Sequence, residues 1–303
     1  ILIMKIIDCI TYFNEPLLFE LRLNILDKFV DEFIVCEARY THAGEKKNLN
    51  FKINDFKKFK EKINYIIIED EPKDLVKIES IAEKENSIFR TNAQKRIFHQ
   101  REAIFNKVKM NKDDDWVIYS DSDEIPNLEK FDLKKCKNKF VLFNQKLLYY
   151  KFNLCLSGYN WFGSKACKVK DLNSITELRN IKTKKYAWWR VDTFFKKDKF
   201  IDLKIVNDGG WHFTEIKSPE EIYEKHKNDE HHDEFELTGI KLEDVKSMIK
   251  NRYIPYNHEA DKKNLNLRWG KNIKVQLSKI KYDLLPEYLV RNKEKYSTWF
   301  DEI

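Results

Sequence analysis

Short β-branched apolar runs alternate here with stretches of helical spacing, and that order restricts the chain to folds built on a mostly parallel sheet. The first run, Lys5 to Phe13, stops at Asn14-Glu15-Pro16, where Asn14 is a natural helix N-cap and Pro16 suits the first helical turn. Leu17, Leu18, Leu21, Ile25, Leu26 and Phe29 follow at helical intervals and predict one apolar helix face. Phe33 to Cys36 reads as a second strand ending on Glu37 to His42, and Tyr65 to Ile68 as a third ending on Glu69-Asp70. Between these two, residues 43–62 carry only a weak helical pattern. An amphipathic region over about 86 to 110 leads into a fourth strand that ends at Asp121. Val141 to Trp161 predicts antiparallel strands, and the chain from about 216 onward reads as helical and charged.

Composition narrows the function classes. A length of 303 residues suits one α/β domain with an extension. The 57 Lys+Arg are interleaved with 50 Asp+Glu, so a net charge of +7 makes no nucleic-acid footprint. No apolar run reaches about 18 residues, and Lys5 and Asp8 interrupt the apolar start, so neither a membrane span nor a signal peptide is expected. Five scattered cysteines without a C-x-x-C pair point to a reducing, cytoplasmic setting. The 7 glycines form no G-x-G-x-x-G, and Gly158 to Lys165 fails as a phosphate loop because it is filled with aromatics and ends Ser-Lys. Any phosphate must then be held by another device, such as a metal ion.

Ser120-Asp121-Ser122-Asp123-Glu124-Ile125-Pro126 supplies that device. Alternate residues of an extended segment point the same way, so Asp121 and Asp123 can converge on one hard cation. Mg²⁺ or Mn²⁺ takes one or two carboxylates plus substrate phosphates. The bland alternative is a solvated acidic turn, but such a turn does not need an apolar strand to deliver it.

Several ordered blocks make the chain resemble the family 17 glycosyltransferases, typified by β-1,4-mannosyl-glycoprotein β-1,4-N-acetylglucosaminyltransferases. Asp8 to Glu15 with Glu20 to Leu26 is similar to the family's opening D-x-F-x-F-N-E and E-x-R-L-x-x-L. Val30 to Glu37 with Thr41 to Gly44 resembles its second block, and Gln100-Arg101 followed by Ser120 to Pro126 resembles its Q-R and D-x-D-E-I-P elements. Gly210-Trp211-His212-Phe213 followed by Ser218-Pro219 resembles its G-W-H block, with weaker echoes at His232 to Phe235 and Leu285 to Leu289. The resemblance implies an α/β glycosyltransferase-A type, Rossmann-like sandwich with a mostly parallel central sheet and a helical C-terminal extension. Residues 1–215 would be the nucleotide-sugar-binding and catalytic core, and 216–303 the extension. It also implies a UDP-sugar donor, Mn²⁺ or Mg²⁺, a glycan or glycoconjugate acceptor and inversion at the anomeric carbon.

Roles follow as expectations. Asp121, Asp123 and His212 are the metal candidates, with Asp121 also facing the diphosphate; His212 between two aromatics could instead be a core histidine. Asn14, Glu15 and Arg22 lie where base and ribose sit in such a fold, although Asn14 and Glu15 also make sense as helix caps. Glu37 and Arg101 are further donor-binding candidates, and Arg101 could equally pair with a neighbouring acid. Glu124 is expected to orient the acid pair or touch the donor sugar. An inverting reaction needs a base for the acceptor hydroxyl. Asp192, Asp208 and Glu215 are the candidates, and Asp208 ranks first because it precedes Gly209-Gly210-Trp211-His212. Histidines 226, 231 and 232 lack a zinc frame and read as a solvated loop; Trp161, Trp188 and Trp189 could stack on sugars or fill the core. Rival readings are a nucleotidyltransferase and a non-catalytic glycan-binding protein of the same fold.

Overall fold

The structure is a computed structural model that describes residues 4–77, 82–183, 202–228, 232–260 and 264–302. The apolar runs fold as β1 (Ile6–Thr11), β2 (Glu32–Ala38), β3 (Ile63–Ile68) and β4 (Trp116–Asp121), with α1 (Pro16–Leu26) after β1 and α2 (Ala82–Val108) before β4. Pro16 does open α1, but the cap position is Glu15, not Asn14, and no side chain caps it. The weak pattern before β3 becomes 3-10 helix over Ile53–Lys62.

Downstream come β5 (Glu124–Pro126), β6 (Phe140–Tyr149), β7 (Leu154–Cys155), β8 (Trp161–Lys168), α3 (Ile175–Asn180), β9 (Leu203–Val206) and β10 (Gly210–Thr214). Among the described residues the main sheet has 11 strands and runs β13-β7-β6-β8-β4-β1-β2-β3, where β13 is Ser278–Lys279; β9 and β10 also pair with β6, and β5 with β10. β1 is parallel to both β2 and β4, and β2 to β3. β8 is antiparallel to both β4 and β6, which returns β6 to the direction of β4. β9 and β10 are parallel to β6, so the sheet is mostly parallel, as expected.

Strand periodicity divides the core into two layers. From β1, Ile6 and Ile10 join α1 residues Leu18, Phe19 and Leu23 on one face. Ile7 and Cys9 join Ile104 and Val108 of α2 and Ile175 and Leu178 of α3 on the other.

The stretch read as helical from about 216 is mixed. It holds α4 (Pro219–Asn228), α5 (His232–Thr238), α6 (Leu242–Lys250), α7 (Leu265–Arg268) and α8 (Glu287–Arg291), but also an antiparallel pair, β11 (Tyr253–Ile254) with β12 (Val275–Gln276), and β13, which joins the main sheet through β7. Strands of two residues are too short to show a period in sequence. Leu285, Leu289, Tyr296 and Phe300 pack into the α1-side core. No helix among the described residues is long and apolar enough to cross a membrane.

Candidate active site at the carboxyl ends of β1 and β4

Parallel pairing sets Thr11 opposite Asp121, so β1 and β4 end level, at the sheet edge where open α/β folds bind ligands. The acidic turn leaving β4 is held from three directions. From below, Arg22 of α1 is fully buried and grips Asp8 of β1 with a two-pronged fork, both bonds 2.6 Å, while its third nitrogen donates to the Glu124 carbonyl. From the side, β10 pairs antiparallel with β5, sets His212 opposite Glu124, and donates Phe213 N–H to the Asp123 carbonyl at 2.8 Å. From above, Arg179 at the end of α3 donates to Asp121 Oδ2 at 2.5 Å and to both oxygens of Glu124 at 2.8 and 2.9 Å.

Arg179 is itself fixed by a buried lysine. Lys165 of β8 donates to the Arg179 and Ile181 carbonyls at 2.5 and 2.7 Å, which satisfies orphan acceptors at the end of α3. Gly163 of β8 makes the approach possible, because a Cβ there would lie 2.2 Å from Gln145 Oε1 and 2.5 Å from the Glu124 carboxyl carbon.

Glu124 has no capacity left for substrate. Oε1 accepts from Trp161 Nε1 and Arg179, and Oε2 from the Asp121 N–H and Arg179, which uses the four acceptor sites of a carboxylate. Its carboxylate is spent on tying Trp161, Arg179 and the Asp121 backbone together. Burial, the largest single cause, works against its charge, but Arg179 and His212 together lower its pKa. Asp121 goes the other way: burial raises its pKa against the pull of Arg179.

Asp123 Oδ2 lies 3.3 Å from His212 Nε2, and the His212 ring lies against Trp161 at 4.7 Å. Burial opposes charge on both partners, yet their mutual attraction lowers the pKa of Asp123 and raises that of His212. The Nδ1 of His212 is buried with no hydrogen-bond partner among the described residues. The turn also meets the first strand-to-helix connection, where Ser122 Oγ donates to Glu15 Oε2. Lys225 of α4 stands 3.9 Å from the other oxygen of Glu15, and Lys217 donates to the Asn14 carbonyl at 2.9 Å.

The expected site residues therefore separate. Asp121, Asp123, Glu124, Glu15 and His212 come together, with Asn14 at the rim. Arg22 is drawn into the buried fork and cannot reach a nucleotide. Glu37 is likewise consumed: it accepts from Lys47, from Asn50 and Phe51 N–H at 2.8 and 3.0 Å and from Tyr65 OH at 2.8 Å, and so pins the residues after β2. Arg101 donates to Tyr119 OH at 3.2 Å and meets Asp121 only through its field. Asp208, left-handed at φ 49°, ion-pairs with Lys146 at 2.6 Å. It lines a separate cavity with Trp211 and Tyr282, on the opposite side of β10 from His212. Asp192, Trp188, Trp189 and His231 lie outside the described residues.

Among the described residues no three His, Cys, Asp or Glu side chains gather as a metal-holding group. Arg179 engages one oxygen of Asp121, and Asp123 engages the Nε2 of His212. What fits a hard cation is the pair of carboxylates, each with one oxygen engaged by its partner, beside the orphan Nδ1.

A family model described as "Glycosyltransferase family 17" matches residues 3–299. None of the curated proteins matches this sequence. Among solved structures, HddC from Yersinia pseudotuberculosis is 14% identical, with 67% of this chain and 90% of that chain covered and a TM-score of 0.33. The same protein complexed with GMP-PN is 12% identical over the same shares, 67% and 90%, at a TM-score of 0.32.

Proposed function

This chain belongs to glycosyltransferase family 17, and from that premise we propose that it moves a sugar, with N-acetylglucosamine the leading candidate, from a UDP-sugar to a glycan with inversion. As a glycosyltransferase it uses a nucleotide-sugar donor and a glycan acceptor; the UDP base, the sugar, the cation and a glycosyltransferase-A type of fold are the finer parts of the reading. The observation that carries it is the acidic turn, in which Asp121 and Asp123 stand at the level ends of β1 and β4, with His212 Nδ1 buried and without a hydrogen-bond partner among the described residues.

Asp121 and Asp123 would hold Mn²⁺ or Mg²⁺, which when bound neutralises charge on the departing diphosphate. The protein supplies placement. Arg22 and Arg179 fix the turn from its two sides, so the carboxylates need little reorganisation when donor enters. His212 offers Nδ1 to the diphosphate side. Glu15, already tied to Ser122, and Asn14 border the space for the nucleoside.

A thermal-shift screen of UDP, GDP and their common sugars, with and without Mn²⁺, tests this on wild type and Asp123→Asn. Ligand at 100 times its Kd adds about 2.7 kcal/mol to native stability. Stabilisation by a UDP species that requires Mn²⁺ and vanishes in the variant is the expected result. A folded protein indifferent to every nucleotide, or one that releases pyrophosphate from a nucleoside triphosphate, refutes the proposal.

A further inference from the structure

Beyond Trp161 the acidic turn gives way to a second space, a cavity of about 330 Å³. That lies within the common range for small-ligand sites, about 300 to 1,000 Å³. Trp161 belongs to both sites: its ring lies against His212, its Nε1 donates to Glu124 at 2.7 Å, and it forms a wall of the cavity. Tyr149, Tyr159, Tyr256 and Trp269 supply further aromatic wall, and Glu215, His226, His258 and Arg268 the polar part. Aromatic faces beside a carboxylate match a molecule with an apolar C–H face and a rim of hydroxyls, which is the chemistry of a pyranose ring. Trp269 adds a buried Nε1 donor with no partner among the described residues.

Glu215 is the residue directly after β10, the strand that carries His212, and it sits in the left-handed region at φ 57°, as Tyr150, Asp208 and Arg252 also do. His226 of α4 brings Nε2 within 2.8 Å of Glu215 Oε1, and its own ring is stacked on Phe235 at 5.0 Å. Burial, the largest single cause, opposes charge on Glu215, but His226 and Lys225 together hold the carboxyl below the ordinary glutamate range.

We propose that this cavity receives the acceptor sugar and that Glu215, set in place by His226, takes the proton from the attacking hydroxyl. The inference rests on the donor reading above. As the acceptor oxygen bonds to the anomeric carbon, its proton passes to the free oxygen of Glu215. The bond from that carbon to the diphosphate oxygen breaks, and its electron pair leaves on the nucleotide. Asp208, the first-ranked candidate by sequence, serves the other cavity and is tied to Lys146.

The test uses the full chain and the donor found by the thermal-shift screen. Wild type and Trp269→Ala are first applied to a printed glycan array, and the glycans bound by wild type then serve as acceptors. Glu215→Gln should lose about 10²-fold or more in kcat with donor stabilisation unchanged, within the range for removing a general base. Glu215→Ala with sodium azide, a nucleophile that carries no proton to remove, should again consume donor and yield the inverted glycosyl azide, which a merely structural glutamate would not allow. His226→Gln should lower kcat more than it raises acceptor KM. Turnover by Glu215→Gln within threefold of wild type overturns the base. Absence of array binding, or binding indifferent to Trp269→Ala, overturns the cavity. Wild type that no nucleotide sugar stabilises refutes the donor reading itself.

Discussion

Arg22 and Asp8 form a fully buried charge pair, with side chains 0% and 1% exposed, and the fork has a third prong on the Glu124 carbonyl. Replacing Arg22 by Met leaves the Asp8 carboxylate buried without its partner, which costs about 3–5 kcal/mol. The abandoned Glu124 carbonyl adds about 1–3 kcal/mol. Asp8→Val strands the guanidinium instead, again about 3–5 kcal/mol. If the two losses were independent, the double variant would lose their sum, about 7–13 kcal/mol, comparable to the whole stability of a typical domain. The structure predicts otherwise. With both charges gone the pair becomes apolar and near neutral, only the carbonyl stays unsatisfied, and the double variant should fall within about 3 kcal/mol of wild type. Guanidinium unfolding followed by tryptophan fluorescence measures all four proteins. Where a single variant fails to fold, recovery of a cooperative transition in the double variant is the readout. Losses that add to within about 0.5 kcal/mol would mean that the fork is not a coupled unit.

Three more outcomes can be checked. Gly163→Ala drives a methyl into Gln145 and Glu124, with contacts of 2.2 and 2.5 Å before relaxation, and should lose about 1–3 kcal/mol together with the Mn²⁺-dependent donor shift; an unchanged melting curve would contradict the packing described. Burial, aided by Arg179, pushes Lys165 down from 10.5 to about 7, so the folded state binds fewer protons than the unfolded state between those values. Its contribution to stability therefore grows as pH rises from 7 and is lost as pH falls through 7, and wild type minus Lys165→Met, titrated by denaturation from pH 6 to 10, should show that slope. Trp161→Phe keeps a ring beside His212 but removes the donor to Glu124, and calorimetry should find weaker UDP binding at constant Mn²⁺.

The sheet was legible because β1 to β4 are β-branched runs that end on polar residues, and the acidic turn because it follows one of them. Arg179 was not. It is one of 57 Lys+Arg, on a helix of six residues, and only the meeting of α3 with β8 carries it to acids more than 50 positions earlier. The Ser174 cap of that helix was the one local signal of order there. Arg22 and Glu37 show the converse failure. A polar residue near a strand end has the same appearance in sequence whether it faces a ligand or is used up inside, and only the hydrogen-bond count separates the two. His226 was read as part of a solvated loop because its partner lies at position 215, on the other side of the turn between β10 and α4.

In the proposed reaction one strand, β10, links the donor side to the acceptor side. His212 lies on it and Glu215 follows directly after its end, three residues on, so their Cα atoms can stand at most about 11 Å from each other. β10 would thus act as a ruler between the proposed leaving group and incoming hydroxyl, graduated in steps of one residue, and inserting a single residue between these marks would raise that limit by about 3.6 Å. The walls of the cavity beyond, drawn largely from α4 to α7, are free of that constraint. On the proposed reading, substitutions in those walls can change which sugar is accepted while the interval between the two marks stays fixed.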